Sequence, residues 1–198
     1  MKSFQQFINE APYLYDTRMN MEKVSSLSKK SLEENFLYLG HLDVQNFDIY
    51  ENKENGGFLG GILIEDEFYP LIRVSCNERS LYVKPMQLSD KRKHIAMVRV
   101  SPSFSHQEVA IDTYTFIANH YDLISDRIQY LGAKVLWKSL ARQGQVNVYV
   151  FDESKKDYLR ENDKPIKYNG KNITDEMIWG KEKQHQDRLL VATKKELK

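Results

Sequence analysis

The chain has little cysteine, almost no net charge and no long apolar run, and each shortage excludes a class of protein. A single cysteine among 198 residues rules out an internal disulfide and suits a reducing compartment. The 29 Lys/Arg nearly balance the 28 Asp/Glu, so no overall field draws the protein onto nucleic acid. No apolar run approaches the ~20 residues of a membrane span, and no Cys/His spacing fits a zinc site. We therefore expect no membrane, nucleic-acid or metal partner.

What the sequence does contain is a foldable composition, with 41% hydrophobic residues and 12% aromatic residues. From Phe36 onward, short aromatic and branched runs alternate with Gly, Asn, Asp and Pro, which is typical of β-strands. The "NKENGG" segment predicts a hairpin turn between two of these strands. The predicted strands are "FLYLGHL", "FDIYEN", "GFLGGILIE", "FYPLIRVSC", "SLYVKPM" and "KHIAMVRVS".

In the second half of the chain, helices and strands alternate. Apolar spacing predicts helices at about residues 107–121 and 127–142, the second closed by Gly144, with a short buried strand "DLIS" between them. "QVNVYVFDE" predicts an alternating strand, the Asn-Gly of "IKYNGKNI" predicts a hairpin, and "DRLLVAT" predicts a last strand. We expect an α/β (α+β) fold: a central, mixed, mostly antiparallel sheet flanked by helices. Residues 11–35 form a helical extension, with a helix at about 21–35, and residues 36–198 form one domain.

The junction "VRVSPSFSHQEVA" resembles the cofactor turn of GNAT (Gcn5-related) acyltransferases, and the resemblance covers roughly Leu42 to Asp152. In that family a strand leads into a glycine-rich turn, whose backbone N–H groups hold the pyrophosphate of acetyl-CoA at a helix start. The resemblance implies a GNAT-like fold in which the strand and the turn line the cofactor site, but here a glutamate replaces the first glycine. The corresponding residues are Val98, Val100, Gln107, Glu108, Val109 and Ala110.

The glutamate argues against cofactor binding. Ser105 and Glu108 have the S-x-x-E spacing of a capping box, in which side chains occupy the backbone N–H groups that a phosphate needs. A carboxylate about 4 Å from a phosphate would also repel it by roughly 4 kcal/mol at an effective dielectric of about 20. We expect no cofactor, with acetyl-CoA as the alternative.

A second landmark is "GAKVLWKSL", which resembles the family's helix whose tyrosine often protonates the departing thiolate. Trp137 stands at the tyrosine position, and an indole N–H is no acid. We expect Trp137 to close the gap between helix and sheet, and Tyr121 or Tyr130 to substitute only with fortunate geometry.

Other polar residues are candidates for lining a site. Arg99 alternates with apolar neighbours on its strand, and Ser125 and Asp126 end the strand "LISD", although Asp126 also suits a helix N-cap. The histidines at positions 41, 94, 106 and 120 have no carboxylate or nucleophile at a motif spacing. No catalytic residue can be assigned from the sequence.

The N-terminal "MKSFQQFINEA" resembles the capsid-targeting propeptides of internal head proteins in T-even-type tailed phages. The resemblance implies that residues 1–10 are removed by cleavage between Glu10 and Ala11. A plain amphipathic helix is the alternative. The propeptide resemblance also implies packaging in the virion head and action in the host cytoplasm.

Three functional hypotheses follow. The first is a phage accessory protein with a degenerate acyltransferase-like fold, which binds and inhibits a host defence, toxin or restriction enzyme. The second is an active N-acetyltransferase that uses acetyl-CoA. The third is a structural head component with no host target.

Overall fold

The computed structural model describes residues 26–77, 87–101, 107–127, 129–180 and 187–198. The predicted N-terminal helix, the cleavage site at Glu10 and Ala11, the predicted strand "SLYVKPM" and Ser105 lie outside these ranges. The chain divides into two compact units, which are described separately. Unit 1 comprises Met1–Asn77 and Ala96–Thr113, and unit 2 comprises Glu78–Ile95 and Tyr114–Lys198.

Unit 1 is built from consecutive antiparallel strands. The first two predicted strands have their predicted bounds, and the next two differ from them by one residue at each end. In unit 1, each strand from β2 to β5 pairs with the next one along the chain, and β1 pairs with β5. The elements are β1 (Leu27–Ser28), α1 (Lys29–Asn35), β2 (Phe36–Leu42), β3 (Phe47–Asn52), β4 (Phe58–Ile64) and β5 (Glu67–Asn77).

Local hydrogen bonds explain the turns of unit 1. The predicted turn between β3 and β4 is confirmed, and the side chain of Asn52 accepts hydrogen bonds from the backbone of Glu54 and Asn55. Gly56 has a φ of 63°, a conformation that glycine adopts without steric cost. This turn chemistry fixes the register of the hairpin.

The segment before β2 differs from the predicted helix at 21–35. Within its described part, Leu27 and Ser28 form a strand on β5, and the helix begins only at Lys29, where Ser28 caps it. Leu32 is buried against Tyr50 and Phe68, so α1 belongs to the core of unit 1 rather than lying at its periphery. Leu27 pairs with Phe68 at the start of β5, and this backbone pairing outweighs the helical propensity of leucine.

Strand β6 (Arg92–Val100) and helix α2 (Gln107–Ala118) each contribute residues to both units. In unit 1, the end of β6 adjoins β5, and the N–H of Ser101 donates to the carbonyl of Leu71. In unit 2, residues Arg92–His94 pair in parallel with Asp122–Ile124.

Unit 2 inserts its last strand between two earlier ones. Strand β12 pairs antiparallel with β7 on one side and with β8 on the other, and β9 pairs with β8. The elements are β7 (Asp122–Ile124), α3 (Leu131–Gln143), β8 (Asn147–Asp152), β9 (Asp157–Tyr158), β10 (Arg160–Glu161), β11 (Lys164–Pro165), α4 (Asp175–Trp179) and β12 (Arg188–Thr193).

Three predictions in unit 2 need correction. Helix α3 begins at Leu131 rather than near Arg127, although Gly144 closes it as predicted, with a φ of 67°. Strand β8 does not alternate: Val148 to Asp152 are all buried, because the strand is covered on both faces. The predicted hairpin at the Asn-Gly of "IKYNGKNI" is instead a hairpin of β10 and β11, earlier in the chain.

The described chain is therefore a mixed α+β protein, with open, mostly antiparallel sheet structure flanked by few helices. In the described ranges, no helix combines the length and apolar character that membrane crossing requires.

Candidate functional site

The residues predicted to line a cofactor turn lie in unit 1, at the end of β6 and the start of α2. Val98, Arg99 and Val100 are partly exposed on β6, and the guanidinium Nε of Arg99 contacts the sulfur of Met97 at 3.0 Å. Ser105 falls outside the described residues, so its capping partnership with Glu108 remains a prediction.

Helix α2 begins at Gln107 and carries Glu108 exposed in its first turn. The next two side chains, Val109 and Ala110, are buried, so Glu108 marks the point where the helix leaves the surface. A carboxylate in the first turn suits the positive end of the helix dipole. The same charge would repel a phosphate at that position, so Glu108 stabilises the helix and disfavours an anionic ligand.

Ser125, predicted to line a site, instead belongs to a buried hydrogen-bond network of unit 2. Its hydroxyl oxygen accepts from the N–H of Leu190 at 2.9 Å and from the side-chain amide of Gln129 at 2.7 Å. The Gln129 carbonyl oxygen accepts from the indole N–H of Trp179 at 3.0 Å. Ser125 therefore links the end of β7 directly to β12 and, through Gln129, to α4.

Asp126 does not cap helix α3. The helix begins at Leu131 and its N-cap is Tyr130, which makes no side-chain capping bond. Asp126 accepts instead from the N–H of Arg127, whose guanidinium forms two hydrogen bonds with Glu153, at 2.6 and 2.8 Å. The bond from the Arg127 N–H is a local side-chain alternative to a helical hydrogen bond, and the helix begins only at Leu131.

Trp137 is buried on α3, where its ring packs edge-on against Tyr114 of α2 with 5.9 Å between ring centroids. The indole therefore fills the contact between two helices. Tyr130, the phenol at the start of α3, is 58% exposed.

A cluster in unit 1 was missed from the sequence: His41, Asp48, Tyr38 and Tyr50 meet across the β2–β3 hairpin. In the strand register, His41 faces Asp48 and Tyr38 faces Tyr50. The His41 Nδ1 and the Asp48 carboxylate are 2.8 Å apart, and the two tyrosine rings meet edge-on at 5.4 Å. The predicted strands and the length of the turn between them give the His41–Asp48 pairing. The Tyr38–Tyr50 pairing also depends on the register shift between Tyr38 and Gly40, which the sequence pattern does not show.

Asp48 sets the electrostatics of this cluster. Its hydrogen bond to the imidazole raises the pKa of His41, and burial followed by the charge of Asp48 raises the pKa of Tyr38 and of Tyr50. The His41 side chain is 41% exposed, so a second molecule can reach it. The cluster therefore presents a protonatable ring and the phenol of Tyr38 at the surface, whereas Tyr50 is buried.

A second carboxylate, Asp122, was also missed, and it is buried in unit 2. One oxygen accepts from the backbone N–H and the hydroxyl of Ser89, and the other accepts from the Thr193 hydroxyl at 2.5 Å. Lys195 lies 3.8 Å away. These bonds fasten the loop before β6 to the ends of β7 and β12, so the role of Asp122 is structural.

The two units carry opposite charge. Unit 1 has 8 Lys/Arg against 14 Asp/Glu, whereas unit 2 has 21 against 14, although the chain as a whole is almost neutral. Net charge governs which partners a surface attracts. Unit 1 is therefore suited to a basic partner.

Among the described residues, no group of three or more His, Cys, Asp or Glu is placed to hold a metal ion. Comparison with known proteins found no matching family model, no matching curated protein and no matching solved structure.

Proposed function

We propose that this chain acts by binding a protein, on an acyltransferase-like scaffold that has lost its cofactor chemistry. We further propose that it is a phage accessory protein whose target is a host defence, toxin or restriction enzyme. The observation that carries the first proposal is Glu108, exposed in the first turn of α2, where the resemblance would require open backbone amides.

The strand arrangement of unit 2 supports the scaffold. Strands β6 and β7 are parallel and joined by helix α2, and the last strand is inserted between β7 and β8. The strand that leads into α2 has the order of strand, turn and helix that the resemblance implies, and this order supports the proposal.

The chemistry of the same elements supports binding rather than catalysis. Trp137, at the position of the family's acid, is buried against Tyr114 and has no acidic proton to give. Interface energy concentrates in residues such as tyrosine, and complementary charge selects partners. Unit 1 provides an exposed tyrosine, Tyr38, and an acidic excess.

Titration calorimetry with acetyl-CoA tests this proposal on three proteins: wild type, Glu108→Gln and Asp66→Asn. Asp66 is an exposed carboxylate in the β4–β5 turn of the same unit, so its variant loses the same charge away from α2. We expect wild type and Asp66→Asn to bind no tighter than about 100 µM, which is roughly −5.5 kcal/mol, and Glu108→Gln to bind more tightly than both. A wild-type dissociation constant for acetyl-CoA below about 100 µM would overturn the proposal.

The positive half of the proposal is tested in infected cells. The tagged chain should co-purify with a host enzyme in stoichiometric yield, and the purified chain should inhibit that enzyme. Mass spectrometry of virions should show a mature chain that begins at Ala11. An intact Met1 form confined to infected cells would refute packaging, whether or not the host enzyme is bound.

An active N-acetyltransferase is the second candidate, favoured by the exposed phenol of Tyr130 at the start of α3. Incubation of host lysate with labelled acetyl-CoA should then transfer label to a protein or small molecule, and Tyr130→Phe should abolish the transfer. Transfer that survives in Tyr130→Phe would remove this tyrosine from the reaction.

A further inference from the structure

Strand β2 forms an edge of the sheet in unit 1. Among the described residues it pairs with β3 alone, and it is seven residues long. An edge strand has a row of unpaired backbone donors and acceptors, onto which another extended chain can add.

The sequence of β2 contains few of the features that protect such edges. Natural edges carry lysine, proline or inward-pointing charges, or are very short, whereas "FLYLGHL" contains no lysine, no proline and no acid. A register shift between Tyr38 and Gly40 interrupts the strand, but the residues before it, from Phe36 to Tyr38, pair regularly with β3. The N–H of Phe36 already donates to the carbonyl oxygen of Leu32, so an added strand would pair with the backbone groups that follow it.

The exposed side chains of β2 provide anchors for such a strand. Leu37 and Tyr38 are 54% and 55% exposed, and they point to opposite faces because they are consecutive strand residues. An added strand would gain a contact on each face. Tyrosine is among the residues in which interface energy concentrates.

The charge around this edge selects the partner. From Glu33 to Glu54 the sequence holds six acidic residues and one lysine. In the register of the hairpin, Leu37 faces Glu51 and His41 faces Asp48, so carboxylates lie on the strand next to β2. The exposed acids Glu33 and Glu34 lie at the end of α1, which leads directly into β2.

We propose that the edge of β2 binds an extended, lysine- or arginine-rich segment of a partner protein as an additional strand. This is β-augmentation, in which main-chain hydrogen bonds supply affinity and side chains supply specificity. The inference rests on the proposed binding function and identifies the surface and the chemistry of its partner. A second copy of this chain would bring the same acidic edge and would be repelled.

The test is selection from a displayed library of random ten-residue peptides on the full chain, followed by affinity measurement. We expect the enriched peptides to be basic and free of proline, to slow hydrogen exchange of the β2 amides, and to bind more weakly at high salt. Leu37→Lys should weaken their binding at least tenfold. The matched control is Val44→Lys, which adds the same charge to a 79% exposed side chain between β2 and β3 and should change the affinity by less than threefold.

Several results would overturn the inference. They are no enrichment, enrichment of neutral or acidic peptides, or equal binding to Leu37→Lys. Sedimentation that shows a dimer dissociated by Leu37→Lys would make a second copy the occupant and would also refute it. The acetyl-CoA titration is independent of these results, so the surface can fail while the binding function stands.

Discussion

The two units differ in how their chain segments find one another. Unit 1 pairs strands that follow directly along the sequence, from β2 to β5, through short turns. In unit 2 the strand Arg188–Thr193 lies beside Asp122–Ile124, about one third of the chain away. Closing the short loop between neighbouring strands costs little conformational entropy. Closing the longer loop between distant strands costs more, so their pairing depends on packing.

They also differ in where their polar groups lie. The ionisable cluster of unit 1, His41 with Asp48, is partly exposed and can meet a partner. In unit 2, Ser125, Gln129 and Asp122 are buried and bonded to strands and helices of the same unit. The buried polar groups of unit 2 stabilise its fold, and we propose that the exposed ones of unit 1 serve recognition.

The largest expected effect comes from removing Trp179, which anchors the network of unit 2. Trp179→Ala deletes a buried ring and leaves the Gln129 carbonyl without its donor, so we expect a loss of about 3–5 kcal/mol in unfolding free energy. Urea denaturation measures it. Tyr38→Ala in unit 1 removes a half-exposed ring. Its contact with Tyr50 is worth at most about 1.5 kcal/mol of unfolding free energy in addition to the small area that the ring buries. Equal losses of unfolding free energy in the two variants would contradict the different roles given to the two units.

A pair of glycines in unit 2 separates backbone strain from packing. Gly144 and Gly170 both have positive φ, so alanine costs about 1–2 kcal/mol at either position. A Cβ at Gly144 meets nothing within 4 Å, whereas one at Gly170 would lie 2.8 Å from the carbonyl oxygen of Lys138. Gly170→Ala should therefore lose about 1–3 kcal/mol more than Gly144→Ala in thermal denaturation. Equal losses would show that the contact with α3 adjusts freely.

The bond from Thr193 to Asp122 gives a smaller effect. Thr193→Val keeps the shape but removes a hydroxyl donor to a buried carboxylate, so we expect a loss of about 1.5–3 kcal/mol by urea denaturation. Thr193→Ser restores the donor and should recover part of that loss. A Thr193→Val protein as stable as the wild type would show that the hydrogen bond to Asp122 contributes no measurable stability.

The smallest expected effect is the titration of His41 in unit 1. NMR should find its pKa above the ordinary value of 6.5, because Asp48 stabilises the imidazolium, and Asp48→Asn should lower it. A raised pKa means that the pair stabilises the fold below the unfolded pKa, and that this contribution is lost as the pH rises through the folded pKa. An unchanged His41 pKa in Asp48→Asn would refute the pairing.

Much of the fold could be predicted because its signals are local. The strand bounds Phe36–Leu42 and Phe47–Asn52 match the sequence prediction, since Gly, Asn and Asp mark the turns. The predicted start of α3 was wrong because Arg127 and Gln129 bond to distant residues, Glu153 and Trp179, which no local pattern shows.

The candidate sites were harder to predict than the fold. Glu108 was predicted in a first helical turn and lies in one. Ser125 was predicted to line a site and is buried, because the N–H of Leu190, on the last strand, donates to it. The His41–Asp48 pair was missed because it depends on register across a hairpin rather than on a sequence motif.

Local sequence was enough to give the bounds of β2 and β3, the turn between β3 and β4 and the position of Glu108, because backbone propensity, turn chemistry and apolar period act over a few residues. Tertiary structure alone decided that Arg188–Thr193 lies between two earlier strands and that Ser125, Asp122 and Gln129 become buried partners. It also separated the charges of a nearly neutral chain into an acidic and a basic unit. These outcomes depend on contacts between distant segments, which form only when burial of apolar surface brings those segments together.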